Sequence, residues 1–155
     1  MRWQGMMLLA TLACAPSLKA EEVPTHAAHS VPVRGFEAPI GPPAVLEDLA
    51  PLLADALAGP PDFAGDQVLV PDGCGTDCLQ VLAVDRGTGA VSRLPAVACC
   101  WQGEGEMLDY RADSRLLVVS GKLDTAPGHG RHYFRFENGR FQPLHFEPVP
   151  ANAGE

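Results

Sequence analysis

Cys74-Gly75-Thr76-Asp77-Cys78 sets two thiols on a tight glycine turn, and Cys99-Cys100 adds an adjacent pair. Thiols crosslink, exchange electrons or hold soft metals. In an oxidising compartment these four cysteines allow three pairings. A Cys74–Cys78 bridge closes a loop so short that chain entropy gives only about 2 kcal/mol, whereas a bridge from that turn to Cys99 or Cys100 gives roughly 3. Geometry argues the other way, because Cys99 and Cys100 on a strand point to opposite faces and both cannot easily reach one turn. The expected bridge is Cys74–Cys78. Cys99 and Cys100 are then a vicinal disulfide, a pair of free thiols, or a contact for a partner.

Redox catalysis generally uses Cys-x-x-Cys at a helix start, where the helix N-terminus lowers a thiol pKa. Here the spacer is three residues and a strand is expected to follow, so that chemistry is not indicated. A four-thiolate zinc or Cu(I) site is the sharper alternative, but the spacing fits no usual zinc pattern and oxidation competes with metallation. No metal and no cofactor is expected. His129-Gly130-Arg131-His132 brings two imidazoles to a loop-strand junction, with His132 reading as a hydrogen-bonded interior histidine. Glu106, Asp109 and Asp113 supply carboxylates, yet nothing in the sequence fixes the separation that glycoside hydrolysis needs. There is no Gly-x-Ser-x-Gly elbow, phosphate loop or His-Glu-x-x-His helix. The expectation is a non-enzymatic module that binds through an acidic or aromatic surface near Trp101, Tyr110 and Tyr133.

Charge and targeting narrow the partners. Met1 to Ala20 reads as a signal peptide: Arg2 is followed by an apolar stretch from Met6 to Ala15, too short for a permanent membrane helix of about 20 residues. Cleavage after Ala20 is the main expectation. Thr11-Leu12-Ala13-Cys14 offers a degenerate lipoprotein box as an alternative, with an acyl anchor on Cys14. No later segment is apolar enough to span a bilayer. The formal charge is −8 and becomes two units more negative once Arg2 and Lys19 leave with the leader. Nucleic acid and anionic lipid are therefore poor partners, while a basic protein of the envelope, such as a cationic hydrolase or toxin, is steered favourably. The expected location is periplasmic or secreted.

The elements that must position these groups follow from periodicity. Residues 21–43 are poor in large apolar side chains and carry Pro24, Pro32, Pro39, Pro42 and Pro43, the pattern of a flexible, semi-extended linker in which His26 and His29 are solvated. Residues 44–60 hold Leu46, Leu49, Leu53 and Leu57 at helical spacing, with Pro51 interrupting and Gly59-Pro60-Pro61 ending an amphipathic helix. Residues 61–148 switch to short alternating runs, with residues 149–155 as a disordered tail. Expected strands are Gln67–Val70, Cys78–Asp85, Ala90–Leu94, Val97–Trp101, Met107–Arg111, Arg115–Ser120, His132–Glu137 and Arg140–His145. Asp85-Arg86-Gly87-Thr88-Gly89 and Glu137-Asn138-Gly139-Arg140 close hairpins, so the fold class is mostly β: a small antiparallel meander with one helix on it. Leu116-Leu117-Val118-Val119 is apolar on both faces. It reads as a central strand covered on one side by the leucine helix.

Four phrases in one order carry a likeness: Pro61-Asp62-Phe63-Ala64-Gly65, Gly73-Cys74-Gly75-Thr76-Asp77-Cys78, Val84-Asp85-Arg86-Gly87-Thr88-Gly89-Ala90-Val91, and Asp109-Tyr110-Arg111-Ala112-Asp113-Ser114-Arg115-Leu116-Leu117. Across roughly residues 60 to 145 the chain resembles a family of uncharacterised exported bacterial proteins. These have a Phe-Ala-Gly opening, a Gly-Cys-Gly-Thr-x-Cys turn, an Asp-x-x-Thr-Gly hairpin and a Tyr-Arg-x-Asp-Ser-Arg-Leu-Leu strand. Pro71-Asp72 stands where such sequences usually have a Trp. The resemblance implies a small secreted, disulfide-bearing domain and brings no known activity. Two close cysteines between strands are also loosely similar to periplasmic lysozyme inhibitors, with different spacing, which makes an inhibitor or immunity protein against a cell-wall hydrolase one alternative function; a cysteine-based metal or redox protein using Cys99, Cys100 and His129 or His132 is the other.

Overall fold

The computed structural model describes residues 21–34 and 50–150. The expected leader, the possible anchor at Cys14, Leu46 and Leu49, and residues 151–155 of the expected tail lie outside the described residues. Seven antiparallel strands form one sheet: β1 (Gln67–Gly75), β2 (Cys78–Asp85), β3 (Val91–Cys99), β4 (Leu108–Asp109), β5 (Leu116–Leu123), β6 (Ala126–Glu137) and β7 (Arg140–Pro148). Their order is β1-β2-β3-β5-β6-β7, with the two-residue β4 paired on β5. Tight turns impose this meander. Asn138 and Gly139 both take positive φ, 52° and 70°, between β6 and β7, as a two-residue hairpin requires. Asp85 Oδ1 accepts from the backbone N–H of Gly87 and Thr88 at 2.9 and 2.8 Å, closing β2 onto β3.

Strand limits depart from the expectation: β1 runs on to Gly75, β5 to Leu123 and β7 to Pro148, β6 begins already at Ala126, and β3 and β4 differ as well. Ala90–Leu94 and Val97–Trp101 are one strand, β3, because surplus residues around Pro95 bulge out between the pairs Gln80↔Val97 and Leu82↔Arg93. The buried Gln80 amide answers the bulge, donating to the carbonyls of Leu94 (3.0 Å) and Ala96 (3.4 Å). A bulge is where a strand tolerates proline. β3 stops at Cys99 because Cys100 turns to a φ of 60°. The expected Met107–Arg111 strand contracts to β4.

β3 and β5 pair only at Ala98↔Leu123 and Cys99↔Lys122. The sheet folds about that short seam, so that β3 also lies against β7 and both halves share one inner core. Phe63, Val81, Leu94, Leu117, Val119, Phe134 and Phe136 meet there. Phe63 is fully buried and contacts the rings of Phe136 and Phe141 at 5.6 and 6.2 Å.

The outer faces differ. Helix α1 (Ala50–Ala58), with Pro51 as its second residue where a missing N–H breaks no helical bond, lays Leu53 and Leu57 on Val68, Val70, Leu82 and Val84 of β1 and β2. Each leucine so buried contributes about 1.5–3 kcal/mol. Buried Arg86 in the β2–β3 turn donates from Nε to Gly59 O at 3.1 Å and ties the helix end to the hairpin. The helix therefore does not cover Leu116 to Val119, as the leucine stripe suggested. It leads directly into β1, and consecutive elements pack as neighbours.

Residues 21–34 are a strap, not an independent linker. Val31 N–H donates to Asp113 O (2.8 Å), Arg115 N–H to His29 O (2.9 Å) and Arg34 N–H to Gly65 O (2.8 Å). The backbone ahead of β5 offered free polar groups, and the strap supplies their partners. Gly65, at a φ of 90°, passes so close beneath Pro32 that a side chain there would strike the Pro32 carbonyl. Ala64 N–H and Gly65 N–H donate to Ser114 O and Ala112 O at 3.1 and 2.7 Å. The Phe63-Ala64-Gly65 and Asp113-Ser114-Arg115 phrases are thus two sides of one junction.

Candidate binding groove

On the outer face of β5 and β6, Leu116, Val118, Ser120, Arg131 and Tyr133 form the floor of a groove of about 740 Å³. One wall is the strap at residues 24–27. The other is the loop carrying Glu104 and Glu106, continued by Asp109 and Arg111. Alternation places the floor: Leu117 and Val119 enter the core, so Leu116 and Val118 face outward, where they cluster with Tyr133.

Tyr133, itself buried, donates from its hydroxyl to Glu147 Oε2 at 2.9 Å. Burial first, and then the Glu147 carboxylate, push its pKa up to about 12, so at neutral pH the phenol is a neutral donor. Glu147 Oε2 also lies 3.7 Å from Arg131 Nη1, and the Arg131 guanidinium sits 5.7 Å from the Trp101 ring centre. Trp101 stacks on His129 with centroids 5.2 Å apart and donates from Nε1 to Gly105 O at 3.0 Å. Its ring closes over Gly103, where any Cβ would collide with it. His129 faces Val149 O through Nδ1 at 2.8 Å, and its Nε2 lies 3.3 Å from Gln102 N–H. A carbonyl accepts and an amide donates, so the ring carries its proton on Nδ1.

Trp101 and Tyr133 therefore belong to one connected surface. Tyr110 does not: it packs against the inner core, edge-on to Phe63 at 6.2 Å. Burial and the neighbouring Asp62 carboxylate raise the Tyr110 pKa. His129 and His132 also part. His132 points inward, stacks on Phe146 at 4.6 Å and meets Gly121 O through Nε2 at 3.3 Å. Glu106 and Asp109 line the groove, while Asp113 is not among its lining residues and its carbonyl serves the strap.

His26, read as a solvated linker histidine, is instead a wall residue with a side chain only 10% exposed. Its Nε2 approaches Asp109 Oδ1 at 3.2 Å without hydrogen-bond alignment, and its buried Nδ1 has no partner. No local pattern announces this burial, because it depends on the strap docking beside residue 114. Arg131 had a signal: its alternation with Tyr133 put both on one face.

The cysteines stand beyond the groove's Trp101 end. The structure joins Cys74 to Cys78, Cα–Cα 5.1 Å, and Cys99 to Cys100, Cα–Cα 3.7 Å. Cys78, Cys99, Lys122 and His129 are successive register partners across β2, β3, β5 and β6, so their side chains share the outer face. Gly121 runs beneath Cys99, whose carbonyl would strike any side chain there.

Chemically, the groove offers an apolar floor, carboxylates and guanidinia on its sides, and one buried imidazole nitrogen without a partner. Among the described residues no group of three or more His, Cys, Asp or Glu is arranged to hold a metal ion, and no helix is long and apolar enough to cross a membrane. Compared with known proteins, the chain matches no family model, no curated protein and no solved structure.

Proposed function

We propose that the protein is an exported, disulfide-stabilised, non-enzymatic module of the cell envelope that binds a basic partner protein in the β5–β6 groove. The observation that carries this reading is His26: a nine-tenths-buried imidazole lining the groove with its Nδ1 unsatisfied. A buried polar atom without a partner costs roughly 1–3 kcal/mol, a cost that a bound segment relieves once the strap shifts to expose the nitrogen. Glu104, Glu106 and Asp109 line the same groove with Arg111 and Arg131, and the chain's acidic excess favours encounter with a basic surface. A cationic cell-wall hydrolase is one partner of this chemistry, and inhibition of such enzymes by the purified protein is the direct assay for it.

Site-specific photocrosslinking in intact envelopes tests the groove. A photoreactive residue at position 106 is expected to capture a discrete partner whose yield falls in high salt, while the same residue at exposed position 93, outside the groove, captures none. Equal capture at both positions, or none at 106, removes the support for this reading.

A further inference from the structure

We propose that Cys74–Cys78 and Cys99–Cys100 form one exchange-coupled site for an exported dithiol, in which reduction of the vicinal bridge moves the remaining disulfide to Cys78–Cys99. Three placements carry this. Cys78 and Cys99 are direct partners across β2 and β3, and antiparallel partners lie about 4.5–5.5 Å apart at Cα, inside the span a disulfide bridges. On its other side Cys99 is paired with Lys122, whose ammonium shares the outer face and favours a thiolate at Cys99. Cys100 is held beside Cys99 at a φ of 60°, in the left-handed region that a non-glycine residue leaves readily once the bond to its neighbour is gone.

The chemistry balances in two steps. A dithiol delivers two electrons and two protons to Cys99–Cys100, giving two thiols, and leaves as its own disulfide. The Cys99 thiolate then attacks Cys78 Sγ, forming Cys78–Cys99 and expelling Cys74 as a thiolate, which takes up the proton that Cys99 lost. The product has Cys74 and Cys100 free. Cys74 is on the exposed hairpin tip, so the released thiol is accessible.

The two bridges are distinguishable in the unmodified protein. Trypsin leaves Cys74 and Cys78 together in peptide 35–86 and Cys99 and Cys100 together in peptide 94–111, so the resting bridges link no two peptides. After one equivalent of dithiothreitol at pH 8, acid quench and alkylation, mass mapping is expected to show these peptides joined through Cys78–Cys99, with Cys74 and Cys100 alkylated. The unimolecular step should slow about five- to tenfold from pH 7 to pH 6, following the thiolate fraction. Cys100→Ser supplies the same attacking thiol without reductant and should give the same linked pair. Peptides that stay unlinked, with Cys99 and Cys100 alkylated and Cys74–Cys78 intact, overturn the proposal. So does a linked pair that forms equally fast at both pH values. The map reads the exchange alone, so it stands or falls separately from the groove's occupant.

Discussion

The two outer faces of this sheet are built from the same kind of strand and finished differently. Over β1 and β2, Val68, Val70, Leu82 and Val84 are sealed by two leucines of α1. Over β5 and β6, Leu116 and Val118 meet Tyr133, the strap and an acidic loop around a groove. One apolar strip is closed by hydrophobic area. The other is edged by charge and a buried imidazole.

The largest effect that would break this contrast is at the helix. Leu57→Ala leaves a cavity under α1 and should cost about 2–5 kcal/mol in urea unfolding, whereas Val118→Ala, beside an open groove that can relax, should cost about 1 kcal/mol. A reversed order would mean that the groove floor, not the helix face, is the sealed surface.

The next effect separates inside from outside by pH. Burial holds His132 below the usual histidine range, opposed by its bond to Gly121 O and assisted by His129. Between that lowered value and about 6.5 the unfolded chain binds more protons than the folded one. The stability this represents is complete above about pH 6.5 and is lost as pH falls from there through the lowered value. The urea midpoint should drop between pH 7 and pH 5, and His132→Phe should flatten part of the drop. His29, whose pKa is also lowered, by burial and then by Arg135 and His26, contributes in the same direction. A profile unchanged in His132→Phe would place the titration elsewhere.

The smallest effect is spectroscopic. The chain has two tyrosines, and Tyr133 should ionise only near pH 12. Ultraviolet titration of the folded protein should show a high step that Tyr133→Phe removes. The folded form keeps its phenolic proton longer than the unfolded chain, so this contribution to stability fades as pH climbs from about 10 through 12. A Tyr133 that ionises near pH 10 would mean an open floor and a loose Glu147 contact.

The meander was legible because its determinants are local. Asn138-Gly139, the Asp85 turn and the alternation of Phe134 and Phe136 each act within a few residues. Leu116 to Val119 correctly announced a strand apolar on both faces, but the leucine helix expected to cover it lies on β1 and β2 instead. The choice between α1 and the strap is made by chain connectivity and by backbone bonds from Ser114 and its neighbours to residues 29–31. The β3 bulge was hidden for a similar reason: Pro95 looked like a break between strands, and only the Gln80 amide across the ladder makes it a bend within one. Of the candidate surface, Trp101 and Tyr133 are joined through Arg131 and Glu147, a link that needs β7 laid beside β6. Tyr110 sat next to the right residues in sequence and on the wrong side of the sheet in space.

The strap also sets an order of events. Synthesis presents residues 21–34 well before their partners at Asp113, Ser114 and Arg115. The cradle that Gly65 makes for Pro32 stays vacant until then, and long-range pairings of this kind form late. Latching of the strap accordingly waits on a distant part of the chain, and until it docks the groove lacks one wall.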